Sequence, residues 1–263
     1  MTLRVSILLI ALIGLACDQL PSPPAPAPIT VTTIVSGPAE NAVLAVPVVT
    51  FRWVGTENAL LFQYQIDNGA WSAWGTDDSV RFDYLDEGAH RFAVRSQHRN
   101  GITIEEHFPA RNFTVDAVHG PAVMFQPRLK TVSAGAAFVY DIRAEEVTNL
   151  FAARLTFHFS PGAIRIDSVQ AGDFVKSNGG RALQFPDLNT IDNINGLVTV
   201  NLVVTGGTPA GITGSGAIAR LFGKGLTAQT DSLYFTSAVT SYRDTANAAI
   251  PIVQMVAGKL VVR

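Results

Sequence analysis

Five histidines, His90, His98, His107, His119 and His158, are scattered along the chain without a His-x-x-x-His pair beside a Glu, so the zinc-hydrolase signature is missing. The tightest titratable group, Glu105-Glu106-His107, falls near the end of a strand pattern, where a solvated edge is expected rather than a site. There is no Gly-x-Ser-x-Gly nucleophile turn. Gly214-Ser215-Gly216 lacks the following Lys-Ser/Thr of a phosphate loop and Gly223-Lys224-Gly225 has the wrong spacing, so both read as turn and strand glycines. The run from Asp187 to Asn195 offers oxygen ligands, but an EF-hand needs Gly at its sixth place and a carboxylate at its twelfth, and here Asp192 and Val198 stand there. A polar loop or single helical turn before the Asn195-Gly196 reversal is expected, with a looser calcium site as the other reading. Trp71 and Trp74 could stack against a sugar ring. Alternatively they cover an open sheet edge and pack on the stems of Arg81, Arg91 or Arg95. Binding, not catalysis, is the chemistry these residues suit, and no resident metal or cofactor is expected.

Composition narrows the classes further. Only 15% of the 263 residues are charged against 48% hydrophobic, where an average globular chain is ~25% charged. A formal charge of -2 with no basic stretch argues against a nucleic-acid partner. One cysteine excludes an intramolecular disulfide framework and a four-Cys zinc site. That cysteine, Cys17, closes an apolar run from Val5 to Leu15 that follows Arg4 and is too short to span a bilayer. Gly14-Leu15-Ala16-Cys17 resembles a bacterial lipobox, which implies a signal peptide over residues 1–17, lipidation of Cys17 and a membrane anchor on an exported protein facing the periplasm or cell surface. An ordinary cleaved signal is the alternative. The Pro-rich stretch within residues 18–28 adopts extended polyproline II, so that eight residues at ~3.1 Å each set the next unit about 25 Å from the anchor.

From Ile29 onward apolar residues recur every second position, the spacing of half-buried strands. Val49–Trp53, Phe62–Ile66, Val80–Tyr84 and Arg91–Arg95 alternate in this way, separated by Asp67-Asn68-Gly69, Asp86-Glu87-Gly88 and Asn100-Gly101. With Trp53, Trp71 to Trp74, the Tyr84 to Gly88 turn and the closing Phe113-Thr114-Val115, residues 29–117 resemble a fibronectin type III or immunoglobulin-like sandwich. A second β unit over residues 120–263 contains Phe138–Ile142, Leu155–Phe159 and Val198–Val204 as strands, broken at Ser160-Pro161-Gly162, Asn178-Gly179-Gly180, Asn195-Gly196 and Gly206-Gly207. No stretch keeps a helical period. The fold class expected is all-β, two sandwiches in series.

The order of signals in the second unit resembles a cohesin domain, the receptor module of cellulosome scaffolds. The resemblance runs through Val132-Ser133-Ala134-Gly135, Val147 to Ala153, Leu155 to Pro161, Val169 to Phe174, Asn195-Gly196, Gly214 to Leu221 and the close from Ile250 to Val262. It implies a nine-stranded jelly-roll sandwich that shares its architecture with carbohydrate-binding modules, and docking of a calcium-loaded dockerin on one flat sheet face, the calcium sitting on the partner. On that face the outward positions are Arg154, Thr156 and His158 on one strand and Thr199, Asn201 and Val203 on the next, because Leu155, Phe157, Phe159, Val198, Val200 and Leu202 take the alternate apolar positions. Arg154 stands where a cohesin of the best-known type often has an acidic or amide residue. Direct polysaccharide binding by either unit, or a purely structural envelope role, are the alternatives to protein docking.

Overall fold

A computed structural model describes residues 29–184, 189–208 and 210–263, and it is nearly all β. The proposed signal, Cys17 and the Pro-rich stretch lie outside the described residues, as do Asp187 and Leu188 of the polar loop. Seven strands come first: β1 (Thr32–Ser36), β2 (Ala42–Leu44), β3 (Val49–Gly55), β4 (Ala59–Ile66), β5 (Ser79–Phe82), β6 (Gly88–His98) and β7 (Ala110–Val115). They form a three-stranded sheet in the order β1-β3-β5 and a four-stranded sheet in the order β2-β7-β6-β4. The alternation explains why the sheets close on each other. Val49, Phe51 and Trp53 of β3 point inward while Thr50 and Arg52 point out. Phe51 stacks on Phe92 of β6 with ring centroids 3.9 Å apart, and Trp53 packs against Phe62 and Tyr64 of β4. Phe51 and Phe92, both fully buried, each stabilise the sandwich by roughly 1.5–3 kcal/mol. The β4 strand ends in a turn whose Asp67 and Asn68 both take positive φ, 54° and 55°, as the Asp-Asn-Gly signal predicts.

Thirteen further strands follow: β8 (Ala122–Gln126), β9 (Leu129–Val132), β10 (Ala137–His158), β11 (Ile164–Ala171), β12 (Arg181–Gln184), β13 (Thr190–Asp192), β14 (Leu197–Thr205), β15 (Ile212–Gly225), β16 (Gln229–Phe235), β17 (Ser241–Asp244), β18 (Ala249–Ile250), β19 (Gln254–Val256) and β20 (Gly258–Val262). Nine were implied by the resemblance; short pieces such as β13, β18 and β19, of two or three residues, raise the number. The segment Thr190–Asp192 is extended and pairs with β14, where a turn or helical turn was expected. Asp192 caps the reversal that follows, accepting from the backbone N–H groups of Ile194 and Asn195. One single turn of 3-10 helix, Phe174–Lys176, is the one helical element among the described residues.

The longest strand explains how one hydrogen-bonded network wraps two layers. The first half of β10 pairs with β8 and β15, the second half with β14 and β17. Between them the register with β15 slips around Glu146 and Asn149, which sit at φ 49° and 55°. Ser215 Oγ accepts from Glu146 N and Thr213 Oγ1 from Asn149 N, holding the bend.

Two apolar cores result, one drawn from Ile34 to Val115 and one from Val123 to Val262, with a small cluster of Val118, Ala122 and Met124 between them. Polar contacts flank that cluster. Asp86 Oδ1 accepts from Arg128 N at 2.6 Å, Glu87 Oε2 from Ala117 N at 2.9 Å, and Lys259 Nζ donates to the Tyr84 hydroxyl while lying 4.7 Å from its ring centroid.

Candidate binding face

The register of β10 with β14 sets Arg154 opposite Asn201, Thr156 opposite Thr199 and Ala152 opposite Val203, while His158 faces Leu197. Leu155, Phe157, Val198, Val200 and Leu202, the alternate residues, are buried in the core. The six residues singled out in the sequence therefore share one side of one sheet. On the far flank of β10, β17 sets Ser241 opposite Arg154 and Arg243 opposite Ala152. Beyond β14, β13 places Thr190 beside Thr199.

The face is uneven in height. Arg154 and Arg243 stand exposed, but Thr156 and Thr199 are only 5% and 9% exposed. They were expected to point outward, and they do lie on the side away from the core; short side chains on inner strands simply sit below their neighbours. Their hydroxyls lie 3.4 Å apart, and Thr240 Oγ1 both accepts from Thr156 N and donates to Thr156 O. The centre of the face is thus a low polar floor with its hydrogen bonds made. At one end His158 stacks on Tyr234, centroids 5.3 Å apart at 21°, and more than half of the Tyr234 surface faces solvent. Behind the face, Tyr242 is fully buried beneath the outward Arg243, donates to Ala122 O, and burial pushes its phenol well above the usual range.

The other residues read as chemical candidates are placed as follows. Arg95 lies over both indoles of the tryptophan pair, its guanidinium carbon 4.2 Å from the Trp71 ring and 5.7 Å from the Trp74 ring, and Phe108 meets Trp71 edge-on. Arg81 and Arg91 turn elsewhere, to Asp83 and to Asn68. Glu105 departs from the solvated edge expected of it. It is buried and accepts four hydrogen bonds, from Thr32 N and Oγ1 and from Ser96 N and Oγ. His90 is buried between Asp67 Oδ2 and the Asp86 carbonyl. In the polar loop, Asn193 holds the backbone of Ile166, Asn189 Oδ1 accepts from Asn201 N, and the Asn195 amide holds Asp192 below the usual carboxylate range. Those oxygens are committed to the fold. A group that the sequence did not reveal brings Asp116, His119 and Glu146 together with their ligand atoms within 4.8 Å of one another, all exposed; Glu146 Oε2 already accepts from Gly120 N. Asp116 and His119 stand three residues apart, but Glu146 comes 27 residues after His119, so spacing alone does not join it to them.

Parts of the chain are similar to solved cohesins. A non-cellulosomal cohesin of the archaeon Archaeoglobus fulgidus matches at 10% identity over 54% of this chain and 90% of its own, with a TM-score of 0.43. The third cohesin of ScaC from Acetivibrio cellulolyticus, solved with the ScaB dockerin, matches at 19% identity over 54% and 97%, TM-score 0.43. A type II cohesin from the cellulosome of the same organism matches at 17% identity over 52% and 94%, TM-score 0.41. No family model and no curated protein matches the chain.

Proposed function

We propose that the β17-β10-β14 face is a protein-docking surface of cohesin type, carried by residues 120–263 and held out by the sandwich of residues 29–117. The observation that carries this reading is the β10–β14 register, which brings the positions named by the sequence resemblance into paired rows on one sheet face. Arg154, Thr156, His158, Thr199, Asn201 and Val203 are its proposed contacts, together with Ser241 and Arg243 from β17. A flat face of this kind binds by surface complementarity, about 800 Å² per partner in an interface of ordinary size. The role is binding rather than catalysis, in a polysaccharide-degrading setting, with the chain exported and anchored through Cys17. The test is a pull-down of calcium-loaded dockerin modules on the mature chain, with and without chelator. Retention that disappears with chelator and in Ser241→Trp supports the reading, and failure of any dockerin to bind removes it.

Direct carbohydrate binding is the second reading, favoured by the exposed Tyr234 ring stacked on His158 at the end of the same face. Trp71 and Trp74 are weaker candidates for a glycan platform, since Arg95 already occupies the Trp71 ring. Retention on insoluble glycans that is lost in Tyr234→Ala would support this reading over docking.

A further inference from the structure

We propose that the partner meets this face with a carboxylate-bearing segment laid across Arg154 and Arg243, an inference that rests on the docking role given above. Ala152 pairs with Arg243 and Arg154 with Ser241, so the two arginines are diagonal neighbours on adjacent strands, about 7–8 Å apart at their Cα atoms by sheet geometry. Both are exposed. Neither has an ion-pair partner: among the described residues the paired arginines are Arg81, Arg143, Arg165 and Arg220. Arg154 makes no side-chain hydrogen bond there, and Arg243 makes one, to Asn247 O. A guanidinium carries five donors in a fixed fork, so most of this capacity stays open.

Among the described residues, two carboxylates near the face are turned inward on their own loops. Asp244 accepts from Ala246 N and Ala248 N, and Asp192 from Ile194 N, Asn195 N and the Asn195 amide. Arg181 adds a third exposed cation on β12, two residues along from the position opposite Val203 and hence on the same side. Like charges side by side, with no counter-ion among the described residues, repel, and an incoming carboxylate reverses that repulsion while gaining a bidentate contact. The apolar Ala152 and Val203 lie in the same row as Arg243, and the low threonine floor lies beside Arg154. Arginine anchors around an apolar and hydroxyl centre suit the surface of a protein module. A polyuronate chain would instead need cations in line, whereas Arg154 lies two residues to one side of the Arg243 row and Arg181 two residues to the other, with the strand of Arg154 between those of the other two, so the three share no line.

The test uses the full mature chain and two forms of one calcium-loaded dockerin module, one carrying two aspartates at its docking helix and one carrying lysines at the same places. The expected result is binding of the aspartate form about tenfold or more tighter than the lysine form, as for desolvated charge pairs. Arg154→Glu and Arg243→Glu should each weaken the aspartate form by about tenfold and strengthen the lysine form, while Arg154→Ala weakens the first without helping the second. Equal binding of both forms, abolished by Ser241→Trp, would keep docking at this face and overturn the arginine assignment. Binding of neither form overturns both. Retention on polygalacturonate that is lost in Arg154→Glu would assign the arginines to an acidic glycan and overturn the protein partner.

Discussion

At the scale of single residues, buried polar groups separate architecture from chemistry. Glu105 looks like part of a titratable triplet, yet each of its hydrogen bonds ties β1 or β6 to the segment before β7. Replacing it with Ala strands two buried backbone N–H groups, so Glu105→Ala should cost about 1–3 kcal/mol in urea unfolding; an unchanged midpoint would contradict the assignment. Arg95 acts differently, as a cover. Its removal in Arg95→Ala uncovers both indoles and should lower stability by about 0.5–1 kcal/mol, with tryptophan emission moving to the red. The sequence limited the cover to three arginines but had no means of choosing Arg95, because the choice depends on β4 and β6 pairing Gln63 with Arg95. It misplaced Glu105 for a related reason: Thr32 is 73 residues away along the chain, and no local pattern records the contact.

Among the elements, strands of strict period two were legible and the bent one was not. Residues 49–53, 62–66, 91–95, 155–159 and 198–204 all fall in strands or, for 159, at a strand end, because apolar side chains alternate onto the core face of each, even where the opposite face is itself covered, as at Ala93, Thr156 and Thr199. Through the bend of β10 the buried residues are Ala144, Val147 and Leu150, spaced by three, so the alternation that marks a strand is lost where the chain changes partners. The candidate face was legible for the same reason as the strands. Its Arg243 was missed, since β17 is only four residues long and too short to show a period. Close packing between elements gives a sharp test. A Cβ on Gly172 would lie 2.1 Å from the Ala217 carbonyl oxygen, where β11 ends against β15. Backbone atoms cannot move aside as a flexible side chain would, so Gly172→Ala should destabilise by about 1–3 kcal/mol. A melting temperature equal to that of the unaltered chain would show that the two strands part at no cost.

For the whole molecule, the all-β class and two units in series could be read from periodicity and turn spacing, whereas the joint between the two cores could not. Its contacts connect residues 84–87 with 117, 128 and 259, which share no motif. Burial holds Asp86 and Glu87 above the usual carboxylate range. A raised folded value means that the folded chain holds these protons more tightly than the unfolded chain does. Stability from these groups therefore falls as pH rises from the ordinary carboxylate range through the raised values, and returns as pH drops. Asp86→Asn keeps an oxygen for Arg128 N without this dependence. Thermal melts at pH 4 and pH 7 should show the variant gaining on the unaltered chain at pH 7 and losing that advantage at pH 4; parallel shifts would rule out Asp86 as the source. The parallel pairing of β2 with β7 carries a mechanical consequence. Tension that passes beyond β1 to Ala42 and pulls against the second unit runs along these two strands in opposite senses, so Ala42–Phe113, Val43–Thr114 and Leu44–Val115 are sheared together instead of being peeled apart one after another. A load on the candidate face would reach the chain's amino-terminal side through a pair of strands whose three rungs give way together.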